Sequence, residues 1–157
     1  MKKIDSIIIH CSATPQGRDI RARDIDLMYR QQGWAEIGYN YVIALDGTIE
    51  VGRALTRPGA HCLGYNNHSV GICYIGGLDA AGKAKDTRTP AQKQSMDQLI
   101  RHICREYEII ELLGHRDTSP DLNGNGIVEP HEWIKMCPCF DVREEYPNFM
   151  KPILVKP

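Results

Sequence analysis

The sequence predicts an α/β fold: one domain with a central mixed β-sheet flanked by helices, and an EF-hand-like calcium loop inserted near the C-terminus. Three observations carry this. Short β-branched runs alternate along the chain with segments of helical period, the pattern of strands and helices packed in layers. One Asp-Gly pair between two apolar runs marks a hairpin, so the sheet is not wholly parallel. A chain of 157 residues suits a single core, and no repeat, low-complexity tract or linker divides it. Residues 1–157 are therefore read as one domain, with its core over about residues 4–150.

Each element has a local reason. Lys3 to His10 is apolar and β-branched, a buried strand. Asp19 to Gln32 places Ile20, Ile25, Leu27 and Met28 among charges, a helix ended by Gly33. Tyr39 to Leu45 and Thr48 to Val51 flank Asp46-Gly47, a hairpin whose two turn positions call for positive φ; Tyr39 and Tyr41 then share one face of their strand. Ser69 to Ile75 is a third core strand, closed by Gly76-Gly77. Thr89 caps the clearest helix, Pro90 suits its first turn, and Met96, Leu99, Ile100, Ile103 and Cys104 form its apolar stripe. Glu108 to Gly114 reads as another strand, and Asp141 to Met150 as a last short helix.

The charge balance, 19 basic against 20 acidic residues, leaves no electrostatic footprint for nucleic acid or an acidic membrane. No apolar run approaches the roughly 20 residues that span a bilayer. Ile7-Ile8-Ile9 is too short for a signal-peptide core. The expectation is a monomer made in the cytoplasm without a signal peptide, with no membrane insertion. The cysteines 11, 62, 73 and 104 are scattered singly in apolar contexts, which favours free thiols in a reducing compartment. Cys137 and Cys139 form a C-x-C pair, neither a C-x-x-C redox motif nor half of a four-cysteine zinc site.

The string DLNGNGIVEPHE, Asp121 to Glu132, fills every slot of a twelve-residue calcium loop. Asp121, Asn123 and Asn125 take positions 1, 3 and 5, and Gly126 makes the turn. Ile127 offers its carbonyl, Glu129 sits at position 9, and Glu132 closes with a bidentate carboxylate. Two features depart from a full EF-hand: Pro120 precedes the loop with no entering helix, and no second loop pairs with it. Pro130 starts an expected exiting helix through Trp133 to Lys135. Three carboxylates and two asparagines predict a modest affinity for Ca²⁺.

Of the six histidines, His10 and His115 each close a predicted core strand, where a side chain is held rigidly yet faces a cleft. No H-E-x-x-H spacing marks either as a ligand. The strings IIIHCSAT, GWAEIGYNYVIALDGTIEVGR, GAHCLGYNNHSVGICYIGG, LGHRD and KMCPCFD occur in that order and together resemble the type 2 N-acetylmuramoyl-L-alanine amidases, over roughly residues 4 to 142. That family includes amidase-type phage lysozymes and peptidoglycan-recognition proteins. The resemblance implies a zinc hydrolase acting on peptidoglycan, with His10, His115 and Cys137 as metal ligands and water in the fourth position. It implies that Tyr39 orients that water or assists proton transfer. Lys135, where the phage-type enzymes carry a lysine, would stabilise the developing oxyanion. His61 and Asn66 would face substrate, and His68, His102 and His131 would have no catalytic role. The bridge between the second histidine and the cysteine, residues 116–136, is longer than is usual in the family and is filled mostly by the calcium loop. A bound Ca²⁺ would act there as a structural brace.

Three functions compete. The first is a zinc amidase of the phage-endolysin type, cutting between N-acetylmuramic acid and L-alanine and reaching the wall after release or export. The second is a non-catalytic peptidoglycan-binding module, whose expected signature is a lost zinc ligand. The third is a metal-independent thiol hydrolase with Cys137 as nucleophile. The retained His10, His115, Cys137, Tyr39 and Lys135 favour the first.

Overall fold

The computed structural model describes residues 3–147. Its sheet has five strands in the order β4-β3-β5-β1-β7. These are β1 (Ser6–Cys11), β3 (Tyr41–Ile43), β4 (Ile49–Val51), β5 (Ser69–Tyr74) and β7 (Glu111–Gly114). β1 lies between β5 and β7, parallel to both, and β3 is parallel to β5. Only the β3–β4 hairpin is antiparallel, which makes the sheet mixed as expected. The helices are α1 (Ala22–Gln31), α2 (Pro90–Glu106) and α3 (Val142–Glu145). A two-stranded parallel ladder, β2 (Thr14–Pro15) with β6 (Gly77–Leu78), stands beside the main sheet. It has no counterpart in the sequence reading, since two residues carry no period. None of the described helices is long and apolar enough to cross a membrane.

The central strands alternate strictly. Ile7, Ile9 and Cys11 of β1, with Val70, Ile72 and Tyr74 of β5, face α2 and pack on Met96, Leu99, Ile100 and Ile103. Cys11 is therefore in the core, as its place next to His10 predicts. α2 is fixed at its start by a reciprocal cap. Gln92 N donates to Thr89 Oγ1 at 3.0 Å, and Thr89 N donates to Gln92 Oε1 at 2.9 Å. The Gln92 amide also donates to the carbonyls of Ile43 and Ile75, which ties the helix to two strand ends.

Several expectations need correction. The hairpin loop is one residue longer than an Asp-Gly two-residue turn. Gly47 N donates to Ala44 O, Ala44 N donates to Thr48 O, and only Gly47 has positive φ (+87°). That is a turn with a left-handed glycine behind it, the usual three-residue loop. Tyr39 and Tyr41 do not share a face. The chain bends at Asn40, so Tyr39 packs with Ile25, Ile37 and Val42 while Tyr41 packs on the α2 side. On α1, Ile25 is buried, and the half-buried Ala22 and Tyr29 pack on the same cluster at helical spacing. Leu27 and Met28 are exposed at 55% and 41%. The exiting helix after Pro130 is a single 3-10 turn, Pro130–Glu132. The last helix covers Val142–Glu145, and residues 148–150 of the predicted span lie outside the described residues.

Candidate functional site

The face of the sheet away from α2 carries the polar cluster. His10 is the fifth residue of β1, and alternation turns it from Ile9 and Cys11 onto this face, where it is 1% exposed. His115 follows the last residue of β7 and opens a 3-10 turn, His115–Thr118. Both therefore stand at the carboxyl ends of adjacent parallel strands, the edge where open α/β sheets form their sites.

The LGHRD string builds that turn. Asp117 Oδ2 accepts from Gly114 N at 2.8 Å, and Thr118 Oγ1 donates to His115 O at 2.7 Å. Arg116 N donates to Cys137 O at 2.8 Å, which brings a residue 22 positions from His115 back beside it. Cys137 Sγ accepts from Cys11 N at 3.2 Å. Tyr74 donates its hydroxyl to Pro138 O at 2.6 Å, holding the same stretch from the α2 side.

These contacts bring three donors together. His10 Nδ1 lies 3.1 Å from His115 Nδ1 and 3.9 Å from Cys137 Sγ, and the three atoms are mutually within 4.8 Å. A tetrahedral zinc with ordinary bond lengths spans about 3.3 Å between two nitrogens and about 3.6 Å between nitrogen and sulfur. The two separations from His10 thus fit such an ion with adjustments of a few tenths of an ångström. Two imidazoles and one thiol also match the borderline-soft character of zinc. Burial lowers the proton affinity of His10 well below the ordinary imidazole value, helped by the nearby His61, His115 and Lys135. His115 is lowered to about 4, again by burial first and Lys135 second. Both rings are therefore neutral at pH 7, the form that ligates metal.

A cleft of ≈ 510 Å³ opens beside these donors. Tyr39, Lys135, His115, Cys137 and Ser12 border it. The Tyr39 ring lies 5.0 Å from the His10 ring. Burial, with Cys73 and Tyr29 close by, holds its phenol well above the ordinary range, so it carries its proton at neutral pH. Lys135 is exposed, yet close enough to depress both His10 and His115. A second cleft of ≈ 570 Å³, bordered by Asp97 and Tyr146, lies on the α2 side.

His61 and Asn66, the two residues expected to face substrate, lie in the loop before β5. His61 is 8% exposed, and its Nδ1 lies 2.8 Å from His10 Nε2. Asn66 Oδ1 accepts from the backbone N–H groups of His61 and Cys62 at 2.9 and 3.0 Å, shaping the loop that carries His61. His68 pairs with Asp5 at 2.9 Å, and His102 and His131 are exposed. Sequence reasoning missed Ser69, whose Oγ lies 3.2 Å from His61 Nε2. It also missed the Cys11 N–H. A signal existed for the first: Gly71 interrupts a β-branched strand, and strand glycines mark a close approach.

In the loop from Asp121 to Glu132, Asp121 Oδ1 and Oδ2 accept from Gly124 N and Gly126 N. Asn123 and Asn125 each cap the residue two further on. Glu132, 2% exposed, accepts from the N–H groups of Leu122, Asn123 and Glu129. Ser119 Oγ accepts from Ile134 N at 3.1 Å, and the Arg116 guanidinium lies 3.7 Å over Trp133, so the insertion closes on itself just before Lys135.

A family model described as N-acetylmuramoyl-L-alanine amidase matches residues 1–130, which stops short of Lys135 and Cys137. The endolysin of Escherichia phage T7 is 37% identical over 139 residues, covering 88% of this chain and 83% of that protein. Among solved structures, the N-acetylmuramoyl-L-alanine amidase LysC from Clostridium intestinale superposes with a TM-score of 0.71 at 26% identity, over 94% of this chain and 85% of that one. A Drosophila PGRP-LB variant in complex with tracheal cytotoxin gives a TM-score of 0.65 at 26% identity, over 88% and 76% of the two chains. With fold, strand-end histidines and sequence in agreement, the chain belongs to the type 2 N-acetylmuramoyl-L-alanine amidase family.

Proposed function

We propose that the protein is a zinc-dependent amidase of the phage-endolysin type, hydrolysing the bond between N-acetylmuramic acid and L-alanine in peptidoglycan. The observation that carries this is the convergence of His10 Nδ1, His115 Nδ1 and Cys137 Sγ beside an open cleft. The endolysin name of the T7 relative, and the tracheal cytotoxin complex of the PGRP-LB neighbour, support a peptidoglycan substrate. His10, His115 and Cys137 would hold the ion. A zinc ion there supplies Lewis acidity toward water and the scissile carbonyl. Lys135 brings an ammonium to the cleft, where it offsets negative charge developing on that carbonyl. Tyr39 keeps its proton and so acts as a hydrogen-bond donor that orients water or substrate, not as a base. A binding module that had lost catalysis would lack a ligand, and this chain retains all three.

Defined muropeptides and mass analysis test the reading. Native protein with one equivalent of zinc should release free stem peptide, and Cys137→Ala should not. Release that persists in a strong zinc chelator and disappears on thiol alkylation would replace it with the thiol hydrolase.

The finer part of the proposal concerns Asp121 to Glu132, with Asp121, Asn123, Asn125, Ile127, Glu129 and Glu132 as Ca²⁺ ligands and the ion as a brace. Its support is the full set of ligand positions in the sequence. Unchanged turnover and melting temperature after selective calcium removal would discard it.

A further inference from the structure

We propose that His61 is a positioning residue that fixes the proton of His10, so that His10 presents a bare Nδ1 to the metal. The inference rests on the zinc reading above and deepens it, because it assigns His61 to the ligand and not to the substrate.

The hydrogen-bond directions make the argument. Ser69 Oγ donates its one proton to Tyr65 O at 2.7 Å. Its lone pair then accepts from His61 Nε2, 3.2 Å away. A neutral imidazole with its proton on Nε2 offers Nδ1 as an acceptor. His61 Nδ1 lies 2.8 Å from His10 Nε2, so His10 donates there and carries its proton on Nε2. The lone pair of His10 then sits on Nδ1, the atom that faces His115 and Cys137. The carbonyl of Tyr65 can only accept, and that sets the direction of the contacts leading to His10.

The packing is built around this ring. A Cβ on Gly71, in the central strand β5, would lie 2.6 Å from His61 Cδ2, and one on Gly59 equally close. Asn66 pins the His61 backbone from the other side. Two glycines and an asparagine thus shape a slot that the imidazole fills in one orientation. A ligating histidine whose other nitrogen is held in this way is a stiffer and more basic donor, and loss of such a partner costs about 10–100-fold in metal affinity.

Two measurements on the full chain test this. The first is the tautomer of His10 in metal-free protein at neutral pH, read from ¹⁵N shifts. The Nε2–H form is expected, and the Nδ1–H form overturns the proposal. The second is zinc affinity by chelator competition for His61→Phe and His61→Asn. The phenyl ring fills the slot without an acceptor and should weaken zinc by about 10–100-fold. The asparagine oxygen can stand where Nδ1 stands and should keep affinity within a few-fold of native. Native affinity in His61→Phe, with only KM raised, would return His61 to the substrate. Equal losses in both variants would reduce it to a filler of space; either result overturns the proposal. If His61→Phe does not fold, the tautomer and the asparagine variant decide. Failure of the native protein to take up zinc would sink the metalloenzyme reading, while the tautomer still judges this one.

Discussion

Gly71→Ala is the most informative single substitution, because it reaches the metal site without touching a ligand. The added methyl would sit 2.6 Å from His61 Cδ2 and 2.8 Å from Nε2. Carbon atoms rest at about 3.5–4.0 Å, so about 1 Å must be found. β5 is paired with β1 and β3 on its two sides, and cannot yield it. The ring must move, and moving it by that much stretches the 2.8 Å contact with His10 beyond hydrogen-bonding distance. Leaving the buried His10 N–H unsatisfied costs about 1–3 kcal/mol. Overpacking adds about 1–3 kcal/mol. Urea denaturation of the metal-free protein should therefore show a loss of about 2–6 kcal/mol, a large share of a typical domain's stability. The same substitution in a His61→Ala background should cost much less, so the coupling should approach the full single-variant loss of about 2–6 kcal/mol. Additive losses would mean that the glycine serves the strand and not the ring.

Other consequences follow from single contacts. Arg88 is buried, with two bonds to Glu145 (2.5 and 2.7 Å), two to Asp86, and its guanidinium 3.4 Å over Phe140. Arg88→Ala should cost about 2–3 kcal/mol, the lower end for a broken buried pair because both carboxylates keep about a third of their exposure; Arg88→Lys should not restore it, since one ammonium cannot make the fork. Tyr74→Phe strips Pro138 O of its donor and should lose about 1–3 kcal/mol by urea denaturation. Metal-free protein should lose stability on acidification. The neutral buried His10 and His115 hold their protons less well than the unfolded chain does, so between about pH 6.5 and 4 the unfolded state binds more protons. The slope is at most about 1.4 kcal/mol per pH unit for a fully buried histidine and smaller for the half-buried His115; a flat urea midpoint from pH 7 to 5 would refute it.

The parts of the fold legible in the sequence are those with a long period or a strong local rule. The α2 stripe, the three core strands and the Thr89 cap obey propensity and burial together, and they stand where expected. The failures have one physical cause: a contact from elsewhere in the chain overrode a local pattern. Asn40 is held by Gly71 O, Gly71 N and Arg53 O, and the bend it makes puts Tyr39 beside His10. Leu27 and Met28 are apolar yet exposed, and Tyr29 is the residue held inward, donating its hydroxyl to Ala60 O at 2.9 Å. His10, His115 and Cys137, which the fold brings together, could be picked out in the sequence only through ordered motifs, since their spacing is arbitrary. The proton chain behind His10 was invisible, because its direction depends on a serine whose neighbour is known only in the fold.

The insertion between His115 and Cys137 also changes meaning once its ends are seen. A long flexible bridge suggests that Cys137 would be poorly placed without a brace. Yet Arg116 N and Cys137 O close that bridge at 2.8 Å, and Cys11 N and Tyr74 hold the cysteine stretch independently of it. Loop closure is cheap in length, with about 0.6 kcal/mol for each doubling. Cys137 thus owes its position to the sheet. Lys135 does not: the described contact before it is Ile134 N on Ser119 Oγ, within the insertion itself. If Asp121 to Glu132 binds Ca²⁺, its removal should therefore act on the lysine and leave the thiol alone. The expected result is a fall in kcat with zinc affinity unchanged within about two-fold, because ordering one charged side chain at the oxyanion is worth up to about 10²–10³ in rate while the ligand geometry is untouched. Zinc affinity and kcat falling in parallel would show that the insertion carries Cys137 after all.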